Sequence, residues 1–148
     1  MTDSYDEIIA REIVTTRVLH APVERAFRAF ADPEALAMWW GPDGFTNTFH
    51  TFEFRVGGHW RFTMHGPDGH QYENEIEFTV IEEPHFLVME HISAPLFRAT
   101  IILETMGDGT KATFRQLFDT VHTFNARTGV AMPANEQIFD RLEAVLAR

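Results

Sequence analysis

The stretch PVERAFRAFADPEALAMWW, residues 22–40, predicts two short helices in direct succession. Pro22 suits the start of the first helix, whose apolar residues recur at helical spacing. Its predicted buried stripe consists of Val23, Ala26, Phe27 and Phe30. Asp32 suits an N-cap and Pro33 suits a first helical position, so the second helix is expected to run to about Trp39. A Gly-Pro-Asp-Gly turn at residues 41–44 then ends it.

Strands are predicted on both sides of these helices. Residues 11–20 are rich in β-branched side chains and indicate a first strand. Between residues 45 and 118, alternating apolar and polar residues separated by Gly- and Pro-containing turns predict about six antiparallel strands. In the longest of them, Ile76 and Phe78 share one face, whereas Glu75 and Glu77 lie on the other. This pattern is typical of a sheet with one buried and one solvated face.

The glycine pair at residues 57–58 indicates a β-hairpin. We predict a three-residue loop, 56–58, because this loop keeps the apolar side chains of both strands on one face. The resulting register pairs Phe54 with Trp60 and Phe52 with Phe62.

The C-terminal part of the chain predicts a long helix from Pro133 to about Ala147, preceded by a mobile segment at 119–130. The helix has an apolar stripe with a polar face opposite. The stripe consists of Ile138, Leu142 and Val145, with Phe139 and Leu146 at its edge. We therefore predict an α+β fold over residues 1–148, one domain, in which an antiparallel sheet bends around this helix and the two short helices close one end.

Composition excludes several function classes. The net charge of −10 and the pI of about 5.1 argue against binding to nucleic acid or to anionic membranes. The sequence has no cysteine, no apolar run of transmembrane length and no signal-like N-terminus, so we expect a cytoplasmic protein without membrane insertion. None of the eight histidines has metal-ligand spacing and no nucleotide or nucleophile motif occurs, so we expect no metal and no cofactor.

Trp39 and Trp40 are adjacent, so on a helix their rings point about 100° apart and cannot share one neighbour. Two interpretations are open. Both rings could belong to the core, with their indole N–H groups bonded to nearby carbonyls. Alternatively, one ring seals the core and the other lies at the mouth of a cavity.

Polar residues on inward faces point to a ligand pocket between the terminal helix and the sheet. Either these amides satisfy one another, or they line the pocket and orient a ligand. The predicted lining consists of Trp40, Phe62, Tyr72, Asn74, Gln116, Phe118, Asn135 and Phe139. Asn135 is predicted near the start of the last helix, where free N–H groups would favour an anionic or carbonyl head, and segment 119–130 could act as a gate. His91 and Arg98 are further candidates.

Several motifs resemble those of a known family. They are Pro22-x-x-x-x-Phe27-x-x-Phe30-x-Asp32-Pro33-Glu34-x-Leu36-x-x-Trp39-Trp40, Gly57-Gly58-x-Trp60, Gly66-Pro67-Asp68-Gly69 and Gly107-Asp108-Gly109-Thr110. Together they resemble the activator of heat-shock protein 90 ATPase homologue family, within the START and birch-pollen-allergen superfamily. The resemblance covers residues 11–147 and implies a helix-grip, ligand-binding domain and a homodimer.

Three functions follow from the resemblance, because the superfamily includes lipid carriers, cyclases, hydroxylase subunits and chaperone regulators. The eukaryotic co-chaperone engages its chaperone through a separate N-terminal domain, which this sequence lacks, so a chaperone partner is not our first expectation. We expect binding of a small apolar or amphipathic molecule rather than catalysis. The alternatives are a chaperone-regulating interaction protein and a cyclase- or dehydratase-like enzyme with an inward histidine or tyrosine.

Overall fold

The computed structural model describes residues 4–148, whose strands form one seven-stranded antiparallel sheet in the order β1-β7-β6-β5-β4-β3-β2. The strands are β1 Glu12–Leu19, β2 Thr46–Phe52, β3 His59–His65, β4 Gln71–Glu82, β5 Phe86–His91, β6 Phe97–Met106 and β7 Gly109–Phe118. The helices are α1 Tyr5–Ile9, α2 Val23–Ala31, α3 Pro33–Trp39 and α4 Val121–Leu146. The predicted α+β helix-grip fold is confirmed.

The two short helices after the first strand lie where residues 22–40 predict them. The Asp32 side chain accepts a hydrogen bond of 3.0 Å from the Glu34 N–H, and Pro33 takes the first helical position of α3. The apolar stripe of α2 is buried in the core. Five residues before β1 also form a helix that the sequence analysis missed, although Ser4 and Glu7 make a capping box at its start.

The predicted register of the hairpin between β2 and β3 is wrong by two residues. Phe52 pairs with Trp60 and Phe49 with Phe62, with a bulge between Phe49 and Thr51. The loop is longer than three residues because its glycines pair with β4: the Gly57 N–H donates to the Phe78 carbonyl at 2.7 Å. Apolar side chains still share one face, so the prediction failed on loop length and not on the alternation.

Helix α4 begins at Val121 and continues through Pro133, so residues 121–132 are helical, whereas the sequence predicted a mobile segment at 119–130 and a helix that begins at Pro133. The Thr120 hydroxyl caps the helix by accepting a hydrogen bond of 3.0 Å from the Thr123 N–H. The prediction failed because no residue of 121–134 is buried, which leaves this part of the helix without an apolar stripe. Proline inside a helix removes one hydrogen bond, and here the helix tolerates that loss.

The core lies between one face of the sheet and helices α2, α3 and the C-terminal half of α4. Arg17 on β1 fixes α4 to the sheet edge, since its guanidinium contacts Glu136 and Asp140, each at 2.9 Å. Among residues 4–148, no helix is both long and apolar enough to cross a membrane.

Candidate functional site

A pocket of about 180 Å³ lies between α4, the sheet and the turn that follows α3. Its walls combine aromatic and aliphatic side chains with buried or half-buried amide and imidazole groups. The lining residues are Trp40, Gly41, Pro42, Phe62, Met64, Asn74, His91, Pro95, Phe97, Phe114, Gln116, Asn135 and Ile138. We call this space the grip pocket. It has the mostly apolar wall and the few convergent polar groups that ligand sites share.

Five of the eight predicted lining residues meet at the grip pocket. They are Trp40, Phe62, Asn74, Gln116 and Asn135. Phe118 lies instead at a neighbouring pocket of about 230 Å³, which shares Pro95 and Gln116 with the grip pocket. The wall of this second pocket includes Ala126 and Val130 of α4, within the segment that the sequence analysis took for a gate.

The structure does not bring Tyr72 and Phe139 to either pocket. Tyr72 is 47% exposed and packs beside Phe45, because β4 extends beyond β5, whose pairing with it begins only at Ile76. Phe139 is buried, but on α4 it lies about 100° around the helix from Ile138 and therefore faces β1. There the Arg17 guanidinium lies 5.7 Å from its ring centre.

The adjacent tryptophans have different roles. The Trp39 indole N–H donates to the Ala29 carbonyl at 3.0 Å, and this side chain is sealed in the core. Trp40 is 7% exposed, packs edge-on against Trp60 at 5.3 Å and forms part of the pocket wall. Both rings belong to the buried core, as in the first interpretation, and Trp40 in addition forms part of the grip pocket wall.

Residues 20–147 match the family described as activator of Hsp90 ATPase homolog 1-like protein. The chain belongs to this family. The resemblance stated from the sequence motifs is thereby confirmed. No curated protein shows significant similarity to the chain.

Solved structures similar to this family member support the same fold. A protein from Arthrobacter aurescens is 27% identical, with a TM-score of 0.87 over 95% of this chain and 88% of that one. A protein from Nitrosomonas europaea is 20% identical, with a TM-score of 0.85 over 94% and 96% of the two chains. An AHSA1-like protein from Aeromonas hydrophila is 19% identical, with a TM-score of 0.75 over 92% of each.

Two buried amides connect the helix of this AHSA1-like domain to its sheet. The Asn135 Nδ2 group on α4 donates to Gln116 Oε1 on β7 at 3.0 Å. This bond agrees with the first alternative for the inward amides, in which they hydrogen-bond to one another. Both side chains also line the grip pocket, as the second alternative requires.

His91 is the ionisable side chain of the grip pocket wall. Its Nδ1 donates to the Pro95 carbonyl at 2.7 Å, and its Nε2 lies 2.7 Å from the Asn74 side-chain amide. The imidazole stacks on Phe97 with ring centres 4.5 Å apart. Burial lowers the pKa of His91, although the hydrogen bond to the Pro95 carbonyl opposes the effect. Arg98, the other candidate, is exposed and pairs with Glu90.

The predicted position of Asn135 at a helix start is wrong. Asn135 lies 14 residues after Val121, which corresponds to about 21 Å along the helix axis. The free N–H groups at the start of α4 therefore lie far from the grip pocket, and they give no reason to expect an anionic ligand head there.

Several wall residues were missed by the sequence analysis. Two of them could have been predicted from the sequence pattern. Phe114 lies two residues before Gln116 on β7, and Ile138 lies three residues after Asn135 on α4, so each shares a face with a predicted residue. Pro42 and Pro95 could not be predicted in this way, since loop residues follow no period. Within residues 4–148, no three His, Cys, Asp or Glu side chains come together in a way that could hold a metal ion.

Proposed function

We propose that this chain binds a small apolar or amphipathic molecule in the grip pocket, and that it does so in the cytoplasm, as expected of a cysteine-free acidic chain. The observation that carries the proposal is the pair of buried amides, Gln116 and Asn135, in a wall that is otherwise largely apolar. Amides of this kind are costly to bury unless their hydrogen-bonding groups find partners, and a ligand would supply those partners.

The size of the site suits a small ligand. The grip pocket alone, at about 180 Å³, is below the range of about 300–1,000 Å³ that is typical of ligand pockets. The neighbouring pocket beyond Pro95 and Gln116 adds space for a longer molecule. Apolar walls would contribute about 25 cal/mol per Å² of ligand surface removed from water, before the costs of association are subtracted.

The enzyme alternative has less support. General acid–base catalysis needs a side chain that can exchange a proton with the substrate, and His91 is the lining residue of that kind. Both of its ring nitrogens are already engaged, by Pro95 and by Asn74. The chaperone-regulator alternative rests on the family name. It replaces ligand binding if the protein binds no small molecule in titration.

Chemical-shift titration of ¹⁵N-labelled protein with small aromatic and amphipathic molecules tests the proposal. We expect the largest shifts at the Trp40 indole and at the side-chain amides of Gln116 and Asn135, which all lie at the pocket wall. Ile138→Phe should fill the grip pocket and abolish binding, because Ile138 is a buried wall residue. Ile102→Phe, on the opposite face of the sheet from the buried Ile101 and Leu103, is the matched control and should bind normally.

Binding that survives Ile138→Phe unchanged, or shifts that cluster away from the pocket wall, would contradict the proposal. Absence of binding by every compound tested would leave the interaction-protein alternative in its place.

A further inference from the structure

The Gln116–Asn135 pair is almost completely removed from solvent. Gln116 is 8% exposed and Asn135 is 3% exposed. One hydrogen bond joins them, from Asn135 Nδ2 to Gln116 Oε1. Each side-chain amide carries an acceptor oxygen and an NH₂ donor, so a single bond uses one acceptor and one of the two NH₂ groups.

The other halves of both amides are unused. Within residues 4–148, Gln116 Nε2 and Asn135 Oδ1 make no hydrogen bond. Neither atom is completely enclosed by protein, and both residues line the grip pocket. Exchanging the oxygen and nitrogen of both amides would reverse the direction of the bond between them. It would still leave one NH₂ group and one carbonyl oxygen unpaired, so the pocket offers a donor and an acceptor in either case.

The remaining pocket wall, as residues 4–148 form it, contains no aspartate, glutamate, lysine or arginine side chain. His91 is its ionisable group, and both ring nitrogens have partners. The Arg141 guanidinium donates to the main-chain carbonyls of Gly41 and Pro42, and Arg127 lines the neighbouring pocket and not the grip pocket. A carboxylate moved into the grip pocket would lose its hydration without gaining a lysine or arginine partner in the pocket wall, whereas a neutral polar group would lose much less.

We propose that the grip pocket selects neutral molecules that present a hydrogen-bond donor and an acceptor on one edge of a flat apolar body, such as aromatic amides and lactams. This inference rests on the proposed function and adds the chemistry of the ligand's polar end. A carboxamide N–H pairs with the free carbonyl oxygen of the Gln116–Asn135 pair, and its C=O pairs with the free NH₂ group. The ring lies against the aromatic wall formed by Trp40 and Phe62.

Three ligands of one shape separate the possibilities: benzamide, benzoate and toluene, titrated into wild-type protein at pH 7 and followed by chemical shifts. We expect benzamide to bind at least about tenfold more tightly than either of the others, which corresponds to about 1.4 kcal/mol. If toluene and benzamide bind equally, or if benzoate binds most tightly, the pocket binds ligands but the inference is overturned. If none of the three binds, the proposed function fails and the inference fails with it.

A double variant tests the same chemistry from the protein side. Gln116→Leu combined with Asn135→Leu removes both amides together, so neither is left buried without its partner. We expect benzamide affinity to fall to that of toluene, with toluene binding retained. Retained preference for benzamide would overturn the inference. Gln116→Glu is the second variant, and it should reverse the selectivity in favour of the benzamidinium cation, because a carboxylate then faces the ligand.

Discussion

Arg141 Nη1 lies 2.7 Å from the carbonyl oxygen of Gly41, and this bond connects the C-terminal half of α4 to the turn that follows α3. The same guanidinium donates to four more main-chain carbonyls at distances between 2.9 and 3.3 Å. They belong to Met38, Trp40, Pro42 and Phe45. The last carbonyl groups of a helix have no hydrogen-bond donor within the helix, and the Arg141 guanidinium provides donors for those at the end of α3. It therefore fixes the wall of the grip pocket that Trp40 and Pro42 form.

Arg141→Met should lower the free energy of unfolding by about 2 kcal/mol, because hydrogen bonds to charged groups contribute about 1.5–3 kcal/mol each and do not add. Arg141→Lys should recover only part of this loss, since an ammonium group cannot reach carbonyls spread along a turn in a planar fork. Urea denaturation measures both. Arg55→Met is the control: Arg55 and its partner Glu53 are both exposed, and the loss of this pair should cost less than about 1 kcal/mol. An Arg141→Lys protein as stable as the wild type would contradict the stabilising role that we assign to the guanidinium hydrogen bonds.

Gly41→Ala should destabilise the protein by about 1–2 kcal/mol, because its φ of +99° is unfavourable for a residue with a Cβ atom. The added carbon would also lie 2.8 Å from Met64 Cε, which is the mobile end of a side chain and can move aside. Gly57→Ala separates the two effects, since Gly57 has a φ of +83° and a Cβ added there would meet nothing within 4 Å. We expect similar losses in thermal unfolding; a loss at Gly41 several times larger would mean that Met64 or Phe45 cannot move away from the added Cβ atom.

Gly129→Ala should stabilise the protein by about 0.5–1 kcal/mol. Gly129 lies inside α4, and an added methyl group has open space around it, with no atom within 4 Å. Alanine loses less backbone freedom than glycine on folding into a helix. A rise in the urea midpoint without a change in slope is the expected result. A decrease would show that residues 121–132 are not helical in solution.

The stability of the protein should fall as the pH drops below about 6.5, in part because of His91. Burial lowers the pKa of His91 in the folded protein, whereas the unfolded chain keeps the ordinary value of about 6.5. Below that pH the unfolded state binds a proton at His91 that the folded state does not bind, and the free energy of unfolding decreases until the pH reaches the pKa of the folded state. His91→Gln should therefore show a shallower loss of melting temperature between pH 7.5 and 5. Identical pH profiles would contradict this assignment.

The sequence predicted what periodicity and capping encode and missed what tertiary contacts decide. Residues 22–40 predicted both short helices because Asp32 and Pro33 carry local signals. The hairpin register failed because Gly57 bonds to Phe78, a contact with a strand that lies far along the chain. In the candidate site, inward alternation found Gln116 and the helical stripe found Asn135. Pro95 was not found, because a loop has no period by which its direction can be inferred.

Pro133 divides α4 into halves of unequal stability. It has no N–H to donate to the Gly129 carbonyl, and no residue of 121–134 is buried, whereas the buried contacts of the helix begin at Asn135. The first half should therefore open by local unfolding at a small fraction of the global free energy, leaving the Arg141 and Arg17 contacts of the second half in place. In amide hydrogen exchange, residues 124–132 should exchange orders of magnitude faster than residues 138–146. Ala126 and Val130 form part of the wall of the neighbouring pocket. Local unfolding of the first half would therefore let a molecule enter this pocket from solution while the second half of α4 stays packed on the sheet.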